Sequence, residues 1–188
     1  MTEGTPPPSR PGSGGARRRI LVLACGEASR GDDAAAFLAA ELLRARLADA
    51  GGDAGARGLD RDGGVQGPGA RVDVRSVGQL GPDHLLDLGS DDAVVVIDAV
   101  RGVPAGSIVR RPLADLAAGG PAPRSSHMFP LRDVLALVAT LRGGLPAGTF
   151  VGLGGAAFEL GDGLSPAVRA ALPAFVAVIV EEAERLDS

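Results

Sequence analysis

The stretch AVVVIDAV, residues 93–100, decides how this chain is read. Eight residues of almost unbroken apolar character, rich in β-branched side chains, suit a strand covered on both faces, as parallel strands are. Asp98 is its one charged residue and falls at the carboxyl end. A carboxylate there must be solvated, hydrogen-bonded or metal-bound, because burying it unpaired is costly. Asp91 and Asp92 precede the same run and are expected at the opposite edge of the sheet, in solvent.

Outward from this strand the pattern alternates. Upstream, ILVLAC (20–25) reads as a second buried strand, and Asp33 to about Leu47 as a helix with Ala35, Leu38, Ala39, Leu42 and Leu43 at helical spacing. Arg71–Val77 alternates like a strand with one wetter face, and Pro82–Leu88 suits a short helix. Downstream, Ser107–Arg110 suits a short edge strand and Pro130–Leu141 a helix with proline near its first turn, where a missing N–H costs nothing. Thr149–Leu153 suits a last strand. Ser165-Pro166 then opens the longest helix, with Val168, Leu172, Phe175, Ile179 and Leu186 along its apolar stripe. The expected fold is α/β: three layers, α/β/α, around a mostly parallel twisted sheet with helices on both faces.

The 188-residue chain is 45% hydrophobic but only 3% aromatic, so its core must be built from Ala, Val, Leu and Ile. It has no lysine, which reflects composition bias rather than function. Residues 1–17 are mostly Pro, Gly, Ser and Thr with little to bury and are expected to be disordered; 18–188 is expected to form one domain, interrupted by a flexible Gly-rich insertion at 51–70. A net charge of -4 without a basic, aromatic-interleaved patch argues against nucleic acid. Arg17–Arg19 before ILVLAC imitates a lipoprotein signal, but six apolar residues fall short of the roughly 7–15 of a secretory core, and no stretch suits a membrane span. A single cysteine excludes an internal disulfide and a Cys-type zinc site, which fits a cytoplasmic protein.

Chemistry concentrates in three places. In ACGEASRGDDAAAF (24–37) there is neither GxGxxG nor a lysine after the second glycine, and the acid pair would repel a phosphate; a cation suits it better. Asp32 reads as a helix N-cap, whereas for Asp33 capping and metal ligation are equally compatible with the pattern. Asp98 is the second candidate. His127, in the loop SSHMFP (125–130), is the third, as a ligand or as a surface residue. In doubly wound sheets ligands bind beyond the carboxyl ends of the strands. Two carboxylates and an imidazole meeting there would make a divalent-metal site with positions left for water or substrate. His84 reads as structural and Cys25 as a small buried hydrophobe.

These segments together resemble the NiFe-hydrogenase maturation endopeptidase family. ILVLACGEASRGDDAAAFLAAEL resembles its first strand, loop, acid pair and helix; VVVIDAVRGVPAGSI its central strand and Pro-Gly turn; SSHMFPLRDVLALVATL its histidine loop and helix; FELGDGLSPAVRAALP its closing segment. The resemblance implies an endopeptidase that removes a C-terminal extension from the hydrogenase large-subunit precursor after nickel insertion. It implies that Asp33, Asp98 and His127 recognise nickel carried by the precursor, with Asp33 and Asp98 as the essential catalytic pair. Either the metal polarises the scissile carbonyl or a carboxylate activates water. The chain departs from the family pattern at Ala24-Cys25-Gly26-Glu27, at Ala34-Ala35-Ala36 after the acid pair, and at Gly152–Gly155. Those changes bear on loop shape, precursor choice and activity, and they motivate a second reading as a non-catalytic, metal-sensing assembly factor. A nucleotide- or flavin-binding domain is a third reading, on fold analogy alone.

Overall fold

The structure is a computed structural model that describes residues 18–51, 65–66, 71–119, 124–125 and 130–188. The 1–17 tail, His127 and all of the 51–70 insertion except Gly51 and the pair Val65–Gln66 lie outside the described residues.

Seven strands are described: β1 (Arg19–Cys25), β2 (Val65–Gln66), β3 (Arg71–Val77), β4 (Ala93–Arg101), β5 (Ile108–Pro112), β6 (Arg124–Ser125) and β7 (Ala147–Gly154). Five α-helices accompany them: α1 (Ala35–Gly51), α2 (Asp83–Leu86), α3 (Leu113–Ala117), α4 (Leu131–Arg142) and α5 (Pro166–Asp187). The sheet order is β2-β3-β1-β4-β7-β5, with β6 alongside the end of β4. The four inner strands β3, β1, β4 and β7 are parallel; β2, β5 and β6 pair antiparallel at the margins.

The apolar runs of β1 and β4 follow from their position. Each lies between two parallel neighbours with helices on both faces, and Ile20–Ala24 and Ala93–Ile97 are at most 1% exposed. Ile20, Val22, Val95 and Ile97 pack under α1 and α5. Leu21, Leu23, Val94 and Val96 face Leu85 of α2, Leu113 and Leu116 of α3, and Val134, Leu135 and Val138 of α4. In α1, Ala35, Ala36, Ala39 and Ala40 are fully buried, so the low aromatic content is matched by close backbone approach. α5 starts as its sequence predicts: the Ser165 hydroxyl accepts from the Val168 amide, with proline next.

The order of the inner strands contains a reversal. From β1 the chain moves through α1 to β3 on one side; from β4 it reaches β7 on the other. β1 and β4 are neighbours, so the crevice beyond their carboxyl ends is the topological switch point, where open α/β sheets place ligands.

Two local expectations change. Asp73 lies on the face of β3 read as wetter, yet it is only 3% exposed, because the Arg19 guanidinium donates to it at 2.7 Å and lets it be buried. The helix α3 goes unseen in the sequence, since five residues after a proline give no periodicity to read.

Candidate active site at the β1–β4 crevice

Asp33 and Asp98 both reach this switch point. Asp98 is aligned with Gly152 of β7 and is 3% exposed. By strand alternation it shares a face with Val96 and Val100, the face to which Leu23 and Cys25 of β1 also belong. Asp33 lies in a 3-10 turn, Gly31–Ala34, between β1 and α1, and is 2% exposed. Its amide donates to the Arg30 carbonyl at 3.0 Å.

Gly26 makes that turn possible. Its φ is +147°, a conformation that side chains rarely adopt, and a Cβ there would collide with the Asp33 carbonyl oxygen. The glycine thus lets the strand end pass directly against the backbone of Asp33.

Cys25 reports how the two carboxylates converge. Its thiol is held well above the usual range first by burial, then by the Asp98 carboxylate, and further by Asp33; the Leu80 backbone acts in the opposite direction. The geometry agrees: a Cβ on Gly26, the next residue, would lie 4.0 Å from the Asp33 Cγ, and Asp98 directly follows Ile97, the β4 partner of Ala24. Asp33 and Asp98, 65 positions apart in the chain, therefore both lie by the carboxyl end of β1. Cys25 itself is a buried free thiol, as expected.

The other expectations divide. Asp32 is not the N-cap of α1. It is fully buried, and its carboxylate accepts from the amides of Ala156 (2.7 Å), Ala157 (2.9 Å) and Ser165 (2.7 Å), in the loop between β7 and α5. Burial alone would raise its pKa, but these three amides, with the Ser165 hydroxyl, outweigh it and hold the group below the usual carboxylate range. The partners are 124 to 133 residues away, so nothing local in the sequence signals them. His84 is structural: its Nδ1 accepts from the Gly81 amide at 2.9 Å at the start of α2. Glu27 is exposed and accepts from the Ser29 hydroxyl at 3.0 Å. At the far edge of the sheet Asp91 is exposed, as expected, but Asp92 is half-buried, because it accepts from the Gly89 and Arg19 amides.

His127, the third expected ligand, lies outside the described residues. Among the described residues, no group of three His, Cys, Asp or Glu side chains could hold a metal ion. One carboxylate from the turn after β1 and one from the last part of β4, at the switch point of a doubly wound sheet, define a class: an α/β protein with an acidic site at the carboxyl side of its central strands.

Comparison with known proteins gives that class a family. The family model for HycI, hydrogenase maturation protease, matches residues 59–182. The match takes in Asp98 and His127 and begins after Asp33. The chain belongs to the hydrogenase maturation protease family and is a peptidase. The fold agrees. The [NiFe] hydrogenase maturation protease HybD from Thermococcus kodakarensis superposes with a TM-score of 0.61 at 23% identity, covering 90% of this chain and 99% of that one. The hydrogenase maturating endopeptidase HybD from E. coli gives 0.63 at 23% identity, over 87% and 90%. HycI from T. kodakarensis KOD1 gives 0.60 at 22%, over 92% and 95%. No curated protein sequence matches the chain. Among the described residues, no helix is long and apolar enough to cross a membrane.

Proposed function

We propose that this peptidase removes the C-terminal extension of a NiFe-hydrogenase large-subunit precursor in the cytoplasm, after nickel has been inserted. Asp33, Asp98 and His127 recognise the nickel, which arrives as part of the substrate. The observation that carries this reading is that two buried carboxylates, Asp33 against Gly26 and Asp98 beside the Ala24–Ile97 pair, lie at the same end of the β1–β4 crevice. Two buried carboxylates close together repel one another, an arrangement that a divalent cation relieves.

The course of β6 supports the place given to His127. β6 runs antiparallel to β4, with Arg124 opposite Arg101 and Ser125 opposite Val100. Its direction is therefore from Arg101 back towards Asp98, and His127 follows Ser125 by two residues. An imidazole beside two carboxylates suits nickel, which favours nitrogen donors over an all-oxygen shell.

The chain's own residues have two tasks. The first is recognition: only a precursor that carries nickel satisfies the carboxylates and the imidazole, so docking reports completed metal insertion. The second is the activation of water. A carboxylate at the rim takes a proton from a water molecule as it attacks the scissile carbonyl, and nickel, when present, would polarise that carbonyl.

The test is cleavage of nickel-loaded and nickel-free precursor, followed by intact-mass spectrometry. The wild-type protein should shorten only the loaded form, and Asp33→Asn and Asp98→Asn should leave it uncut. Normal maturation by either variant would refute the mechanism. Binding of the loaded precursor by the wild-type protein without loss of a peptide would instead mark an assembly checkpoint.

A further inference from the structure

Asp32 takes no part in the chemistry above, yet it is more deeply buried than its neighbour Asp33, at 0% against 2% exposed. An aspartate needed only to start α1 would accept from the first amides of that helix. Asp32 instead turns its whole carboxylate to a different part of the chain. One oxygen takes the amides of Ala156 and Ala157, and the other that of Ser165. The Asp32 amide donates back to the Ala157 carbonyl at 2.7 Å, and the Gly161 amide donates to the Ser29 carbonyl at 2.9 Å. Gly31, at φ +55°, fits here because a Cβ would lie 2.6 Å from the Ala157 oxygen. The turn that carries Asp33 is thus stitched to the β7–α5 loop from Ser29 through Asp32.

The same loop is tied to β4. The Arg101 guanidinium lies 3.9 Å from the centre of the Phe158 ring, and the Arg30 Nε donates to the Phe158 carbonyl at 3.4 Å. One loop therefore braces the ends of β1, β4 and β7 together. Such a brace has a use in this site. Asp33 and Asp98 repel when both are ionised, and a loose turn would let Asp33 swing away from the crevice.

We propose that Asp32 is a positioning residue for Asp33: its carboxylate, gripped by three amides of the β7–α5 loop, holds the Gly31–Ala34 turn so that Asp33 is presented at the crevice before the precursor docks. The proposal rests on the role given to Asp33 above. It adds that the site is preorganised by its anionic neighbour rather than assembled by the incoming nickel.

The test compares Asp32→Asn with wild type. Asparagine keeps the shape but turns an NH2 group towards amide donors. Hydrogen exchange at Ala156, Ala157 and Ser165 should speed up by at least about tenfold. On nickel-loaded precursor, kcat should fall at least about tenfold with KM changed less than about threefold, because the docking surface is kept while reactive groups move out of line. A core variant, Ile179→Val or Ile179→Ala, chosen to match the loss of melting temperature, should keep kcat. Where the asparagine variant fails to fold, Asp32→Ser serves under the same criteria. The proposal is overturned if kcat stays within about twofold of wild type, or if the matched core variant loses as much. Asp33→Asn, run alongside, keeps the two readings apart. If it cleaves normally, the role of Asp33 fails, while exchange at the three amides still reports whether Asp32 clamps the loop.

Discussion

The dipeptide Asp-Asp occurs twice, as Asp32-Asp33 and as Asp91-Asp92, and the two copies have opposite fates. The first follows β1 at the carboxyl end of the sheet and is buried. The second precedes β4 at the amino end, with Asp91 exposed and Asp92 half-buried. At the amino end the acids serve local structure. Asp92 accepts from the Gly89 amide at 2.9 Å and the Arg19 amide at 3.2 Å, and the Asp91 carbonyl takes the Arg18 guanidinium at 2.8 Å. At the carboxyl end one acid fastens distant loops and the other enters the crevice with Asp98. The same two residues thus become scaffold or chemistry according to the rim of the sheet they occupy. Retaining buried carboxylates close together costs stability, and proteins keep such arrangements where function requires them.

Substitutions should separate the two pairs. The largest effect is expected at Asp33 and Asp98: conversion of either to asparagine should lower the rate of precursor cleavage by about 100-fold or more, the scale of a lost general base, measured by single-turnover assays. If the Asp91→Asn and Asp92→Asn variants were as damaging, the distinction between the rims would collapse.

Next comes Gly26→Ala. The new Cβ meets the Asp33 carbonyl oxygen and the backbone must leave φ +147°. Chemical denaturation should show a loss of about 1–3 kcal/mol. Cleavage should fall more steeply than stability, because displacement of Asp33 by about 1 Å costs up to about 100-fold.

Asp32 gives a signature in pH. Its pKa is lower in the folded protein than in the unfolded chain, against the raising effect of burial, through the Ala157, Ala156 and Ser165 amides. The resulting stability is present above the unfolded value of about 3.9 and is lost as pH falls through the lower folded value. Melting curves below about pH 4 should therefore show a steeper decline for wild type than for Asp32→Asn, on top of other carboxylates common to both. Asp32→Ala at neutral pH should cost about 3 kcal/mol or more, since three amides lose their acceptor at about 1–3 kcal/mol each.

The amino-end pair should yield the smallest changes. Asp92→Ala removes an acceptor for two partly exposed amides and should cost about 1 kcal/mol in thermal unfolding. Asp91→Asn should stay within about 0.5 kcal/mol of wild type.

Much of the fold was legible because its determinants are local. A strand covered on both faces must be apolar throughout, so β1 and β4 announce themselves. Ser165-Pro166 marks the start of α5 through capping chemistry that is complete within four residues. β2, β6 and α3 escaped because two to five residues carry no period. The wetter face assigned to β3 failed at Asp73, whose burial depends on Arg19, 54 positions away.

The sequence by itself determined that two acids, Asp33 and Asp98, fall towards the carboxyl side of the sheet, since apolar runs set the strands and each acid follows its run. Only the tertiary structure decided that β1 and β4 are neighbours across the switch point, which brings those acids to one crevice. It alone assigned Asp32 to the β7–α5 loop instead of to α1. The physical reason is one of range. Propensity, patterning and capping act over a few residues, whereas strand order and long-range hydrogen bonds depend on how the whole core closes.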